Sequence, residues 1–180
     1  ELYRLRPFLH AQTQIVGAGM VRDVHTSTLN LCKRLIGPTH TSLAQKKARL
    51  IFSTLDTSLE VGPSPYPTAY ALQSTEFTLE NAANVFSRQR LDNGTRLLLR
   101  HIPSLSGTVQ IVDLGCGNGV IGLVAAERSP QAELLFVDES FMAVSSARAN
   151  FQRAFRERSA RFAMGDGLKT CAPNSIDLVL

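Results

Sequence analysis

The chain has 180 residues, of which 44% are hydrophobic and 19% charged, and its formal net charge is +4. Its apolar content predicts a globular chain, and its length is enough for one domain and part of another. A membrane-spanning helix is excluded because no window approaches about 18 uncharged apolar residues, and the opening ELYRLRPFLH lacks the features of a signal peptide. We therefore expect a cytoplasmic protein.

Cysteine and histidine are distributed in a way that indicates no metal centre. Cys32, Cys116 and Cys171 are scattered, odd in number and without CxxC spacing, which indicates neither a disulfide framework nor a zinc site. The four histidines are isolated along the chain and show no ligand spacing. We expect a reducing compartment and no metal cofactor.

The first compositional block, residues 1–58, predicts the order helix, strand, helix, strand. The strand patterns are TQIVGAGM and KKARLIFSTL, and the helical pattern between them is HTSTLNLCKRLIG. Residues 1–60 carry eight Lys or Arg against four Asp or Glu, so all the excess positive charge lies there. Such a surface can contact a phosphate backbone, and solvated faces without a partner explain it equally well.

A linker is predicted next, because LEVGPSPYPT, residues 59–68, holds three prolines and a glycine. In residues 69–180, AYALQSTEFTLENAANVF predicts one or two strands, and Asp92 opens a helix. The runs ELLFVD, ARFAMGD and SIDLVL then alternate as strands with helical patterns. This alternation predicts an α/β fold with a parallel sheet and helices on both faces. Because the chain begins with Glu1 and ends inside a strand pattern, we expect a fragment truncated at both ends.

The stretch IVDLGCGNGVIGLV joins a predicted strand to a predicted helix through a glycine-rich turn. Gly115, Gly117 and Gly119 let backbone N–H groups and the helix N-terminus approach a ligand. Asp113, two residues before the first glycine, would repel the pyrophosphate of a dinucleotide but attract the α-amino group of S-adenosylmethionine. The spacing GxGxG also differs from the GxGxxG of dinucleotide folds. The sequence therefore favours S-adenosylmethionine as the cofactor.

Two further acids follow predicted strands. Asp138 lies about twenty residues after the last glycine, where a carboxylate can bind both ribose hydroxyls of a nucleoside. Asp166 ends the next strand, where it can accept a hydrogen bond from the adenine amine or remain a solvated turn residue. Cys116 has no base near it in the sequence, so we expect it to pack rather than react. The predicted cofactor-binding residues from the loop and the strand ends are Asp113, Gly115, Cys116, Gly117, Asn118, Gly119, Asp138, Glu139, Asp166 and Gly167.

DLGCGNGVIGL, FVDES and MGDGL are similar to the first three motifs of the class I S-adenosylmethionine-dependent methyltransferases. Longer segments, among them NVFSRQRLDNGTRLLL and VDLGCGNGVIGLVAAERSPQAELLFVDESFMAVSSARAN, resemble the ribosomal RNA guanine-N2 methyltransferases. The resemblance is closest to the large-subunit group, with the small-subunit group as its sister. It implies a Rossmann-like class I methyltransferase fold and methylation of the exocyclic N2 of a guanine in large-subunit rRNA.

The same resemblance implies domain and site assignments. Family members have two tandem methyltransferase-like domains, so residues 1–58 would be the C-terminal part of a degenerate first domain. Residues 69–180 would be the N-terminal part of the catalytic domain. Phe86 and Ser87 match a family segment that helps to close the cofactor pocket. The Asn-Pro-Pro-Phe motif that holds the guanine would follow Leu180, so we assign no catalytic residue and expect cofactor binding without methyl transfer.

Other functions stay open at this stage. One is a class I methyltransferase that acts on small-subunit rRNA, a protein glutamine or a small molecule. A second is a nucleotide-binding oxidoreductase, and a third is a non-catalytic RNA-binding module. The identity of the bound cofactor would separate the methyltransferases from the oxidoreductase. The presence of the Asn-Pro-Pro-Phe motif after Leu180 would support methylation of an amine.

Overall fold

A computed structural model describes residues 2–169 and 171–180. The chain divides into two compact units, Glu1–Ser64 and Pro65–Leu180. Across the described ranges, no helix is both long enough and apolar enough to cross a membrane.

The first unit is a three-stranded antiparallel sheet with helices. After helix α1 (Leu2–Leu5) and a short 3-10 turn come β1 (Gln14–Met20), α2 (Thr26–Leu35), β2 (Thr39–Thr41) and β3 (Ala48–Thr54). The strand order is β1-β3-β2. The predicted order of helix, strand, helix, strand is confirmed. Strand β2 was not predicted, because three residues are too few to show an alternating pattern.

A single arginine holds the connections of this unit together. The Arg6 guanidinium donates hydrogen bonds to the carbonyl oxygens of Leu35 at 2.8 Å, Asp56 at 2.9 Å and Leu59 at 2.9 Å. The Leu35 carbonyl ends α2, and the other two follow β3, where regular backbone pairing ends. Arg6 therefore satisfies acceptors that the secondary structure leaves without a donor.

The second unit begins with a hairpin and continues as alternating strands and helices. The hairpin strands are β4 (Thr68–Ala71) and β5 (Thr78–Asn81), and α3 (Asn93–His101) follows. Next come β6 (Gln110–Leu114), α4 (Val120–Arg128), β7 (Glu133–Asp138), α5 (Phe141–Ala154), β8 (Arg161–Met164) and β9 (Leu178–Val179). The last four strands form a parallel sheet in the order β8-β7-β6-β9.

The start of α3 agrees with the sequence prediction. Asp92 is its N-cap, and the Asp92 carboxylate accepts hydrogen bonds from the backbone N–H groups of Gly94 at 2.9 Å and Thr95 at 3.1 Å. These bonds satisfy two of the donors that a helix start leaves free. The Thr95 side chain has the largest effect in lowering the pKa of Asp92, and the backbone N–H groups of Thr95 and Gly94 lower it further.

The two faces of the parallel sheet are covered differently, because successive strand residues point to opposite sides. Ile111, Leu134 and Phe136 are buried in one cluster with residues of α4 and α5. Val112 and Leu135 belong to a second cluster, which is packed by partly buried residues between positions 163 and 176. Within the described residues, helices therefore cover one face of the sheet. The predicted parallel sheet with flanking helices is confirmed. We expected helices on both faces, and the described residues place them on the face that contains Ile111, Leu134 and Phe136.

Gly122 is where α4 approaches the sheet most closely. A Cβ at this position would lie 2.6 Å from Cζ of the buried Phe136 ring and 3.0 Å from Oδ2 of Asp113. The Phe136 ring is itself fixed between Phe151 and Phe162, at centroid distances of 5.5 Å and 4.9 Å. The helix cannot accept a side chain here without moving away from the sheet.

We expect Gly122→Ala to lower the free energy of unfolding by about 1–3 kcal/mol, because overpacking outweighs the better helix propensity of alanine. Gly165→Ala is the matched control, since a Cβ at Gly165 meets nothing within 4 Å. Urea unfolding followed by circular dichroism measures both variants. Equal stability of the two would contradict the close approach described above.

Candidate functional site

The glycine loop joins β6 to α4 and is held against the end of β7. The backbone N–H groups of Gly115 and Cys116 both donate to the Val137 carbonyl, at 2.8 Å and 2.9 Å. Gly117 has a φ of +54°, and a Cβ there would meet nothing within 4 Å. The backbone conformation therefore favours glycine at this position, and the space before the loop is open to a ligand.

Asp138 links the loop to the start of α5. One oxygen of its carboxylate accepts a hydrogen bond from the Gly117 N–H at 3.0 Å, and the other accepts from the Ser140 N–H at 2.8 Å. Ser140 is the N-cap of α5, so its own position is fixed by the helix. A carboxylate oxygen has two lone pairs, which leaves Asp138 able to accept further donors such as hydroxyl groups.

A cavity of about 180 Å³ lies in front of the loop. Its volume is below the roughly 300–1,000 Å³ of a small-molecule site, so it can enclose part of a ligand. Tyr70, Val85 and Leu91 contribute to its lining although the sequence analysis did not single them out. The predicted site residues that line it are Phe86, Ser87, Gly115, Cys116, Gly117, Asn118 and Asp138.

The remaining predicted residues lie outside this cavity. Gly119 is the N-cap of α4 and faces α5, where a Cβ would lie 2.9 Å from Cβ of Ala147. Glu139 is exposed after β7. Asp166 and Gly167 lie in the turn after β8, where Asp166 is exposed and forms an ion pair with Lys169. The fifth is Asp113, which is buried.

Asp113 is fully buried on the face of β6 that contacts α4. Its Oδ2 accepts a hydrogen bond from the Gly122 N–H at 2.8 Å, and its Oδ1 has no partner among the described residues. Burial raises the pKa of Asp113 from 3.8 to about 7, and the charge of Asp138 adds to this effect while the Gly122 N–H opposes it. The carboxyl group therefore changes charge near neutral pH, directly beneath the loop.

A buried network of amides anchors the loop to the β4–β5 hairpin. The Asn118 side chain donates to Oη of Tyr70 at 3.1 Å and to Oδ1 of Asn81 at 2.8 Å. Asn150 of α5 donates to the Asn118 carbonyl at 2.9 Å and also exchanges hydrogen bonds with the backbone of Glu80. Asn81, Asn118 and Asn150 are all buried. Because each amide is satisfied, the network fixes the loop against two elements at once.

Of the residues in this network, Asn118 alone was predicted from the sequence. The partners Tyr70 and Asn81 lie 48 and 37 positions before Asn118, so no local spacing connects them. Asn150 did carry a signal, because it lies within the helical pattern of α5 among residues that become buried. An asparagine in such a position requires a partner from another element.

The segment between β5 and α3 forms the outer wall of the cavity. Asn84 and Ser87 have φ values of +65° and +53°, in the left-handed region that non-glycine residues rarely adopt. Between them, Val85 is buried and Phe86 is 73% exposed while also lining the cavity. Strained backbone of this kind is concentrated at ligand sites, which supports a binding role for the wall.

Cys116 is suited to packing. Burial raises the pKa of its thiol, and the charges of Asp113 and Asp138 raise it further. The thiol therefore remains protonated at neutral pH and is a poor nucleophile. Over residues 2–169 and 171–180, no group of three or more His, Cys, Asp or Glu side chains is arranged to hold a metal ion.

The parallel sheet, the glycine loop that opens α4 and the acid that ends β7 define a Rossmann-like class I methyltransferase fold. A solved structure, the T. thermophilus 16S rRNA N2 methyltransferase RsmC in complex with AdoMet and guanosine, has this fold. It superposes with a TM-score of 0.73 over 96% of this chain and 47% of that one, at 18% sequence identity.

The sequence comparisons are more specific. Residues 76–180 match the Methyltransferase small domain family, and residues 1–57 match the RLMG N-terminal domain. The chain belongs to the Methyltransferase small domain family. Proteins called Ribosomal RNA large subunit methyltransferase G from Streptomyces avermitilis, Streptomyces griseus and Pseudomonas aeruginosa are 51%, 50% and 49% identical over the whole chain. The chain spans about half of their length, 48% in each case.

The buried carboxyl of Asp113 leads to a prediction about pH. Its raised pKa means that the folded chain binds a proton more tightly than the unfolded chain does. The stability that this proton contributes is fully present below pH 3.8 and is lost as the pH rises through about 7. The full difference corresponds to about 4 kcal/mol. In Asp113→Asn the group does not titrate, so wild type should become less stable relative to this variant between acidic and mildly alkaline pH.

Urea unfolding of wild type and Asp113→Asn across this pH range measures the difference. Parallel stability curves for the two proteins would show that Asp113 keeps an ordinary pKa. That outcome would contradict the effect of burial.

Proposed function

We propose that this chain is the cofactor-binding part of an S-adenosylmethionine-dependent methyltransferase that modifies the exocyclic N2 of a guanine in large-subunit rRNA. The observation that carries the cofactor class is the hydrogen bond from the Gly117 N–H to Asp138 at the rim of the loop cavity. The acceptor rests on the resemblance of the sequence and on the names of its relatives.

The residues of the site fit S-adenosylmethionine. Gly115 and Gly117 leave open space where a Cβ would stand, and Asp138 can accept hydrogen bonds from ribose hydroxyls. Phe86 and Ser87 form the wall that would cover the methionine side of the ligand. When bound, the cofactor supplies an electrophilic methyl group on a positively charged sulfur.

We propose the same role for the strand-end residues outside the cavity. The Gly165 N–H donates to the Asp138 carbonyl at 3.0 Å, which holds the turn after β8 beside the end of β7. Asp166 and Gly167 belong to this turn and would contact adenine, and Glu139 would contact the ribose together with Asp138. These assignments extend the site beyond the cavity along the carboxyl ends of β7 and β8.

Charge favours this cofactor over a dinucleotide. Asp113 and Asp138 lie close enough for the charge of Asp138 to raise the pKa of Asp113. The orphaned Oδ1 of Asp113 adds an unsatisfied acceptor beneath the loop. Two acids at one loop attract an ammonium and a sulfonium, whereas they repel a pyrophosphate.

The remaining assignments are also proposals. Residues 1–58 would be the C-terminal part of a degenerate methyltransferase-like domain, residues 59–68 a linker, and residues 69–180 the N-terminal part of the catalytic domain. The basic first block would contact rRNA through its phosphates. An rRNA acceptor requires a compartment that contains ribosomes, so we propose a cytoplasmic location.

Isothermal titration tests the cofactor class. We expect the chain to bind S-adenosylhomocysteine and not NAD, and Asp138→Asn to weaken binding about tenfold or more through loss of charge-assisted hydrogen bonds. Glu133→Gln is the matched control, because Glu133 begins the strand that Asp138 ends. Binding of NAD without S-adenosylhomocysteine would overturn the proposal.

Methylation mapping tests the acceptor. Mass spectrometry of rRNA from cells that lack the full-length gene should show the loss of one N2-methylguanosine from the large subunit. Complementation with the intact gene should restore it, and a gene with the Asp138→Asn change should restore it poorly. Loss of a small-subunit modification instead would assign the sister activity, and an unchanged pattern would exclude N2 methylation of rRNA.

A further inference from the structure

A second and larger cavity, of about 470 Å³, lies in the second unit beside the loop cavity. The hairpin turn at 71–75, residues 89–91 and the helices α3 and α4 form its walls. Apolar side chains such as those of Leu72, Leu99 and Val124 line its interior. We call it the arginine cleft, because Arg90, Arg96 and Arg100 stand around it.

The three arginines of the cleft are exposed. Among the described residues, none forms a hydrogen bond or an ion pair with the guanidinium groups of these three arginines. Arg128 also lines the cleft, but its guanidinium donates to the Ile102 carbonyl and so serves the fold. Glu127 is the acidic side chain in the lining, so the cleft keeps an excess of positive charge.

The spacing of two of these arginines concentrates the charge. Arg96 and Arg100 are four residues apart in α3, so their side chains lie on one face of the helix and repel each other. Arg90 approaches the same cavity from the segment before the helix. A bound anion would relieve this repulsion, and the guanidinium fork matches the oxygens of a phosphate.

The cleft is adjacent to the candidate cofactor site. Tyr70 and Leu91 line both cavities, so a thin wall separates them. The hydroxyl of Tyr70 is hydrogen-bonded to Asn118 of the glycine loop. If one segment of a polyanion were bound in the cleft, the adjoining segment would therefore lie beside the glycine loop.

We infer that the arginine cleft binds the phosphodiester backbone of the RNA substrate and guides the strand toward the cofactor site. Arg90, Arg96 and Arg100 contact phosphates, and the apolar interior accepts an adjoining nucleoside. This inference rests on the proposed function for the identity of the polyanion. It assigns to the second unit a share of RNA binding that the sequence analysis placed in the basic first block.

Fluorescence anisotropy with a labelled single-stranded oligoribonucleotide of mixed sequence tests the inference. Combined substitution of Arg90→Gln, Arg96→Gln and Arg100→Gln should weaken binding about tenfold or more at physiological salt, and should reduce the slope of log affinity against log salt by about 2. Arg96→Gln alone should reduce the slope by about 0.7, and the matched control Arg156→Gln should leave it unchanged.

Titration of the same variants with S-adenosylhomocysteine separates this inference from the proposed function. All variants should retain the cofactor affinity of the wild type, which also shows that they are folded. Unchanged RNA affinity and salt slope in the combined variant would overturn the inference while leaving cofactor binding intact. Equal and equally arginine-dependent binding of poly-glutamate would assign the cleft to an acidic protein and would also overturn it.

Discussion

The close approach of α4 to the parallel sheet at Gly122 is the constraint on which the site depends. With no Cβ at this position, the Phe136 ring and the Asp113 carboxylate can both pack against the start of the helix. These contacts fix the start of α4 close to the sheet. The preceding loop must therefore turn sharply between β6 and α4. Asp138 then holds this turn from the next strand by accepting the Gly117 N–H.

The same packing explains the charge properties of the site. A carboxyl placed under the helix loses its water, and burial shifts the pKa of Asp113 toward neutrality. Cys116 experiences the same burial and the same two acids, and its thiol is kept neutral. The loop thus has two acidic side chains beside it, and its one thiol is a poor nucleophile. Such an environment suits a cationic ligand that is held and oriented more than it suits covalent catalysis.

Much of this arrangement was predictable because it follows from residues close in sequence. The strands, the helices of the second unit and the Asp92 cap follow from apolar periodicity and from the preferred chemistry of helix starts. The glycines and Asp138 follow from the needs of a turn between strand and helix. By contrast, the buried amide network and the arginine cleft combine elements tens of residues apart. No local pattern shows that Asn118 would meet Tyr70.

Short-range spacing alone predicts the alternating α/β fold, the glycine loop and the acids near the strand ends. The burial of Asp113 beneath the loop and the position of Asp138 at its rim are visible in the folded chain and not in the sequence. Both acids are aspartates near strand ends, and their different burial arises from how α4 packs on the sheet. The cleft lies beside the loop cavity for the same reason, because the tertiary structure brings the hairpin, α3 and α4 around it.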